Sequence, residues 1–155
     1  DVIDTLSFDV LVSNLPYHIS EPLFIALLEK RPEKIVVVVG ESFARHLKEE
    51  TILGTVFRDA YEVELLEVIA PESFHPPPNT TSALVRCLRK NESGPLTDFY
   101  AHGKSKVKNY LKNKTPTKRQ AQEFINKLPL PLQEKRLYEL NKQEFLSLKD
   151  ILQQL

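Results

Sequence analysis

Phe8-Asp9-Val10-Leu11-Val12-Ser13-Asn14-Leu15-Pro16-Tyr17 is the stretch on which the reading of this chain turns. Residues 8–13 have the composition of a buried strand, and the run stops at Asn-Leu-Pro-Tyr. Pro16 has a fixed φ and pushes the residue before it into extended backbone, so the Leu15 carbonyl is presented rather than absorbed into a helix. That carbonyl and the Asn14 side-chain oxygen are both acceptors, suited to the hydrogens of an exocyclic amine. Tyr17 adds a flat face on which a flipped-out base can stack. An aromatic amine is a weak nucleophile because its lone pair is delocalised into the ring. Acceptors on its hydrogens favour a pyramidal nitrogen whose lone pair faces an incoming methyl, which is catalysis by orientation and fixed dipoles. Alone, the tetrapeptide also reads as a strand followed by a proline turn with Tyr17 packed.

Working outward, Ser20 is placed as a helix N-cap with Pro22 in the first turn, and Leu23, Phe24, Leu27 and Leu28 form an apolar stripe. Arg31-Pro32 ends that helix. Lys34–Val39 is a continuous β-branched run, the pattern of a strand buried on both faces and therefore parallel to its neighbours. Gly40 leads into a short helix over 42–49, residues 61–69 alternate as a half-buried strand does, and Ser82–Leu88 is a last strand reached through Phe74-His75-Pro76-Pro77-Pro78. This order predicts an α/β fold, the second half of a doubly wound sheet, over residues 1–90. Beyond the linker-like Asn91-Glu92-Ser93-Gly94-Pro95, residues 91–155 read as a small all-α domain. Thr117 with Gln120 and Asn141 with Glu144 resemble capping boxes. Phe145, Leu148, Leu152 and Leu155 make the buried stripe of a terminal helix.

The 155 residues are 41% apolar and 27% charged, enough for one domain or a small domain with an appendage. No apolar run is long enough to span a bilayer, so a membrane partner is not expected. Four dispersed histidines and the single Cys87 give no metal-ligand spacing, and one cysteine forms no internal disulfide, which suits a reducing, cytoplasmic setting. Methionine is absent and the chain opens abruptly before a strand, so it reads as part of a longer protein. Net charge is zero, yet Lys104, Lys106, Lys108, Lys112, Lys114, Lys118 and Arg119 occupy an acid-free run between Phe99 and Gln122. With 98–114 as a helix, Lys104, Lys108, Lys112 and Lys114 lie near one face with Val107 and Leu111 opposite. Such a face neutralises phosphates, and Tyr100 and Tyr110 either stack on bases or pack.

Three stretches resemble the KsgA-type rRNA adenine N6,N6-dimethyltransferases: Ser13-Asn14-Leu15-Pro16-Tyr17-His18-Ile19-Ser20-Glu21-Pro22-Leu23, then Phe74-His75-Pro76-Pro77-Pro78 leading to Ser82-Ala83-Leu84-Val85-Arg86, and finally Leu137 through Leu146. The resemblance implies a Rossmann-like methyltransferase sheet with S-adenosyl-L-methionine at the carboxyl ends of its first strands. It implies that the target adenine lies between Tyr17 and Phe74, that Asn14 and Leu15 hold its amine beside Pro16, and that the helical appendage grips small-subunit rRNA or a pre-ribosomal particle. Asn14 and Asp1 are the positions it offers to the cofactor. The family's glycine-rich cofactor loop has no counterpart in these residues. Thr80-Thr81-Ser82 stands where the family usually has Val-Asp/Glu-Ser, and Gly40-Glu41-Ser42 where it has Gln-Lys-Glu.

The function expected is N6-methylation, with dimethylation the family outcome, of adenines in small-subunit rRNA during ribosome biogenesis. Its rivals are a non-catalytic rRNA-binding assembly factor on the same scaffold and a DNA adenine N6-methyltransferase. The resemblance also implies that the Asn14 strand ordinarily pairs with a strand carrying the glycine loop. Without that partner it becomes an edge with unpaired backbone groups, prone to association. Residues 1–155 as a free polypeptide are therefore expected to be oligomeric or poorly soluble in light scattering; a monodisperse monomer would contradict this.

Overall fold

Lys34–Gly40 (β2) forms because a run of valines stiff at χ1 favours extended backbone. In the computed structural model, which describes residues 8–92 and 94–154, this strand pairs on both sides. Val10–Asn14 (β1) runs parallel to it, with Val12 opposite Val36 and Asn14 opposite Val38. Ser82–Arg89 (β4) runs antiparallel on its other side, with Val37 opposite Val85, and Tyr61–Ile69 (β3) pairs antiparallel with β4. The sheet order is thus β1-β2-β4-β3. The expectation that β2 is parallel to its neighbours holds for β1 alone.

Ser20–Lys30 (α1) ends where Arg31 takes a left-handed conformation with φ of 52°. Ser20 is not the N-cap expected of it. A 3-10 turn over Tyr17–Ile19 runs straight into the helix, and Ser20 already has helical dihedrals (φ −59°, ψ −50°), whereas a capping residue needs extended backbone. Glu41–Lys48 (α2) follows β2 directly. Ile52–Ala60 (α3), absent from the sequence reading, is a genuine addition. Its signal was present: Thr51 caps it by accepting from the Gly54 N–H at 3.0 Å, and Leu53, Val56, Phe57 and Ala60 recur at helical spacing and are buried.

The core lies between these helices and one face of the sheet. Ile35, Val37 and Val39 of β2 and Ala83, Val85 and Cys87 of β4 are buried there with Phe24, Leu27, Leu47 and Phe57. Phe24 meets Phe57 at 4.9 Å between ring centroids, and Phe57 stacks on Tyr61 at 4.7 Å. Tyr61 keeps its hydroxyl satisfied by donating to the Pro32 carbonyl at 3.0 Å, and burial pushes its pKa up to about 12. The opposite face is more open than the sequence pattern implied. Val36, Val38 and Leu84 are half-buried, while Val10 and Val12, read as belonging to a buried strand, are 52% and 74% exposed. Position explains this: among the described residues β1 is an edge strand with a neighbour on one side only.

The chain divides into two compact units, Asp1–Ser93 and Gly94–Leu155. In the second, Val107–Lys114 (α4), Lys118–Asn126 (α5), Leu130–Glu134 (α6) and Lys142–Leu152 (α7) surround Phe99, Tyr110, Leu111, Phe124 and Phe145. Phe99 packs edge-on against Phe145 at 5.1 Å. The helix expected over 98–114 is confined to α4. The preceding segment closes instead as turns, with the Gly103 N–H on the Tyr100 carbonyl and the Ser105 N–H on the His102 carbonyl, and extended Lys106 then bridges to Arg136. Asn141 and Glu144 form a reciprocal capping box, whereas Thr117 receives the Gln120 N–H at 3.2 Å as a one-way cap. Phe145, Leu148, Ile151 and Leu152 are the buried stripe of α7; Leu155 lies outside the described residues.

Gly54 is required by close approach. A Cβ there would sit 2.8 Å from both the Glu49 carbonyl oxygen and the Thr51 hydroxyl, and would also strike the His46 carbonyl. Gly54→Ala is expected to cost about 1–3 kcal/mol, read as a lowered urea midpoint. An unchanged midpoint would refute that close fit.

Candidate functional site

The ladder between β1 and β2 sets the site. Asn14 is the last residue of β1, opposite Val38, and the Leu15 N–H donates to the Val38 carbonyl at 3.0 Å. That bond carries the β1 direction one residue past the strand. Leu15 buries its side chain to 6% exposure, and Pro16 holds φ −58° and ψ 131°. The Pro16 carbonyl accepts from the Ile19 N–H at 3.1 Å, closing the 3-10 turn that carries Tyr17. Among the described residues, neither the Asn14 side chain nor the Leu15 carbonyl has a hydrogen-bond partner. Both are acceptors available to a ligand.

Tyr17 is 39% exposed and anchored at its tip by a 2.6 Å hydrogen bond between its hydroxyl and Ser82 Oγ. Its ring lies over Gly40, where an added Cβ would meet it at 3.6 Å. Ser82 is fully buried at the start of β4 and opposite Gly40 in the ladder, so it tethers the tip of the ring to the sheet. Sequence reasoning did not single out Ser82. Only its place after the proline-rich loop hinted at it. Phe74 follows a 3-10 turn over Pro71–Ser73, with its N–H on the Pro71 carbonyl at 3.1 Å, and is half-buried.

Asn14, Leu15, Pro16, Tyr17 and Phe74 line one open cleft of about 350 Å³, completed by Pro76 and Pro78. It sits at the carboxyl ends of the parallel pair β1 and β2, the usual ligand position in open α/β sheets. The arrangement has two unsatisfied acceptors on one wall and two aromatic rings nearby. It can seat a flat heterocycle bearing an amine. Asp1 lies outside the described residues.

The basic run is not charge-free in space. Lys106 and Lys108 both bind the Glu134 carboxylate, the former at 2.8 Å. Lys114 pairs with Asp98 at 2.7 Å, and Arg119 with Glu123 at 3.2 Å. Lys104, Lys112 and Lys118 are exposed and have no acidic partner among the described residues. Tyr110 is 1% exposed and donates its hydroxyl to Asp98 at 2.9 Å, so it packs rather than presents a face to bases. Hydrogen bonds from Lys106 and Lys108 draw the Glu134 pKa down to about 2. At Asp98 burial works in the opposite direction, but hydrogen bonds from Lys114 and Tyr110, with the nearby Lys114 and His102 charges, leave its pKa below the usual range.

Among the described residues no cluster of three or more His, Cys, Asp and Glu side chains gathers to hold a metal, and no helix is long and apolar enough to cross a membrane.

Residues 10–153 match the family model described as ribosomal RNA adenine dimethylase. A Methanothermobacter thermautotrophicus protein named "Probable ribosomal RNA small subunit methyltransferase A" is 29% identical over 168 residues, covering 99% of this chain and 62% of that protein. A Caenorhabditis elegans "Probable dimethyladenosine transferase" is 34% identical over 116 residues, covering 70% of this chain and 38% of that one. The chain therefore spans less than two thirds of the length of these curated relatives. The crystal structure of a dimethyladenosine transferase from Plasmodium falciparum superposes with a TM-score of 0.55 at 22% identity, over 94% of this chain and 69% of that one. That likeness establishes the fold, an α/β Rossmann-like sheet portion followed by helices.

The Glu134 cluster makes a pH prediction. A carboxylate whose folded pKa lies below its unfolded value stabilises the fold above the unfolded pKa and loses that contribution as pH falls through the folded one. Wild-type protein should lose stability between pH 4.5 and about 2 through this group, and Glu134→Gln should lose less over the same window. Parallel stability curves for the two in acid titrations followed by circular dichroism would contradict the assignment.

Proposed function

The chain belongs to the ribosomal RNA adenine dimethylase family, and on that premise we propose that its cleft is the adenine-holding half of an S-adenosyl-L-methionine-dependent N6-methyltransferase acting on small-subunit rRNA. One observation carries the reading: the paired free acceptors of Asn14 and Leu15 face a cleft that also holds Tyr17 and Phe74. The same observation tests the fit to a methyl donor, because an exposed, unsatisfied asparagine at the carboxyl end of β1 stands where a ligand in such a sheet is reached. When bound, the cofactor supplies an electrophilic methyl on a sulfonium.

This chain's residues do the rest by positioning. Asn14 Oδ1 and the Leu15 carbonyl accept the hydrogens of the adenine N6 amine, which turns the nitrogen lone pair away from the ring system and out of the wall. Tyr17 and Phe74 hold the base in plane, at a stacking benefit of about 1–3 kcal/mol. The 2.6 Å bond from Ser82 stops Tyr17 from rotating away. Preorganised acceptors cost no reorganisation as charge develops on the amine. No strong base is required, since a methylated ammonium is acidic and gives its proton to water in the open cleft.

The description of the matching family model favours rRNA over DNA as the substrate class, and the name of the Methanothermobacter thermautotrophicus protein favours the small subunit. The second unit supplies Lys104, Lys112 and Lys118 for phosphate contacts, with Lys106, Lys108, Lys114 and Arg119 joining where RNA phosphates displace their carboxylate partners. A scaffold that binds rRNA without transferring methyl groups is separated by calorimetry: it would bind rRNA but take up no S-adenosyl-L-methionine.

Asn14→Ala in the full-length protein is expected to lower methyl incorporation by at least about a hundredfold, in line with loss of a preorganised hydrogen-bonding group. RNA affinity should stay within about twofold of wild type because the phosphate contacts that dominate it are untouched. Wild-type turnover in that variant would remove Asn14 from the mechanism.

A further inference from the structure

Among the described residues of the helical unit, Tyr138 is the most exposed tyrosine, Tyr100 being half-buried. It is 59% exposed, whereas Phe99, Tyr110, Phe124 and Phe145 are buried. It is also held in place. The residue sits in a 3-10 turn, Leu137–Glu139, closed by the Glu139 carboxylate on the Arg136 N–H at 2.9 Å. Its own N–H donates to the Gly103 carbonyl at 3.1 Å. The Arg136 guanidinium donates to its hydroxyl at 3.1 Å and lies 6.0 Å from the ring centroid.

Beside this ring the turns over residues 100–105 border an open cavity of about 420 Å³, lined by Tyr100, Gly103, Lys104, Ser105 and Tyr138 among others. A Cβ on Gly103 would stand 3.2 Å from the Tyr100 carbonyl, so glycine eases the tight turn that borders the cavity. Lys104 is exposed and has no carboxylate partner among the described residues, in contrast to Lys106 and Lys108, both bound to Glu134. A fixed aromatic face, a hydroxyl and an uncommitted ammonium thus border one concave space.

We propose that this cavity is a second RNA subsite that takes one unpaired nucleotide, with its base on Tyr138 and its phosphate on Lys104. The inference rests on the RNA substrate proposed above. A ring already immobilised by Arg136 loses little freedom when a base stacks on it, and such stacking tolerates any base. A paired strand offers no free base face, so the subsite selects single-stranded over duplex RNA. It lies in the unit Gly94–Leu155, whereas Asn14 and Phe74 belong to the unit Asp1–Ser93.

The test measures affinity of the full-length protein for an rRNA hairpin with an unpaired loop and for a duplex of equal length, using wild type, Tyr138→Phe, Tyr138→Ala and Lys104→Ala. Tyr138→Ala should bind the loop RNA about tenfold more weakly and the duplex within about twofold, while Tyr138→Phe stays near wild type. Lys104→Ala should weaken both and lower the slope of log affinity against log salt by about one. Loop binding by Tyr138→Ala at the wild-type level, or equal losses on loop and duplex, overturns the subsite while leaving Asn14-dependent methyl transfer standing. A wild-type protein that binds neither RNA overturns the subsite together with the reading beneath it.

Discussion

The hydrogen bond from the Leu15 N–H to the Val38 carbonyl is the constraint on which the site depends. It continues the parallel β1–β2 ladder beyond Asn14 and thereby fixes the backbone just where Pro16 turns it. The Leu15 carbonyl is left over because the chain is extended there and, among the described residues, no further strand pairs with it. A helical Leu15 would direct its carbonyl along a helix axis, and Pro16 disfavours that conformation. The rest follows from this anchor. Tyr17 lies over Gly40 because β2 ends there, and Ser82 reaches the Tyr17 hydroxyl because β4 starts opposite Gly40. One cluster of ladder positions, Asn14–Val38 and Gly40–Ser82, thus sets the spacing of the cleft.

Much of this was legible in the residues. The strands announced themselves through β-branched runs and alternation, and the helix stripe of Leu23, Phe24, Leu27 and Leu28 faced the core as its spacing demanded. The residues proposed to hold adenine sit together in the cleft, although Tyr17 and Phe74 are far apart in sequence. What sequence reasoning lost was governed by tertiary context. Ser20 has a capping side chain, but the preceding 3-10 turn had already made its backbone helical. Residues 52–60 carry a cap and an apolar stripe, yet Gly54 and β-branched Ile52, Thr55 and Val56 weaken any propensity argument for a helix. Whether Val10 and Val12 are buried depends on the neighbours of β1, and local pattern is silent on that.

Charge shows the same limit more sharply. An acid-free run of lysines suggests an open cationic face, but Glu134 and Asp98, from outside that run, neutralise part of it. Linear sequence cannot reveal a carboxylate that arrives from another turn of the chain. Exposure of Lys104, Lys112 and Lys118 then becomes more informative than the length of the run. The tyrosines of the helical unit make the same point for aromatics: inside the basic run Tyr110 is core and Tyr100 half-buried, while Tyr138, outside it, is exposed.

The central claim is geometric, and a geometric measurement meets it most directly. A structure of the full-length protein with an RNA carrying its target adenine and the demethylated cofactor should place the adenine N6 within about 2.7–3.2 Å of both Asn14 Oδ1 and the Leu15 oxygen. An adenine bound elsewhere, or one whose amine meets neither oxygen, would contradict the account.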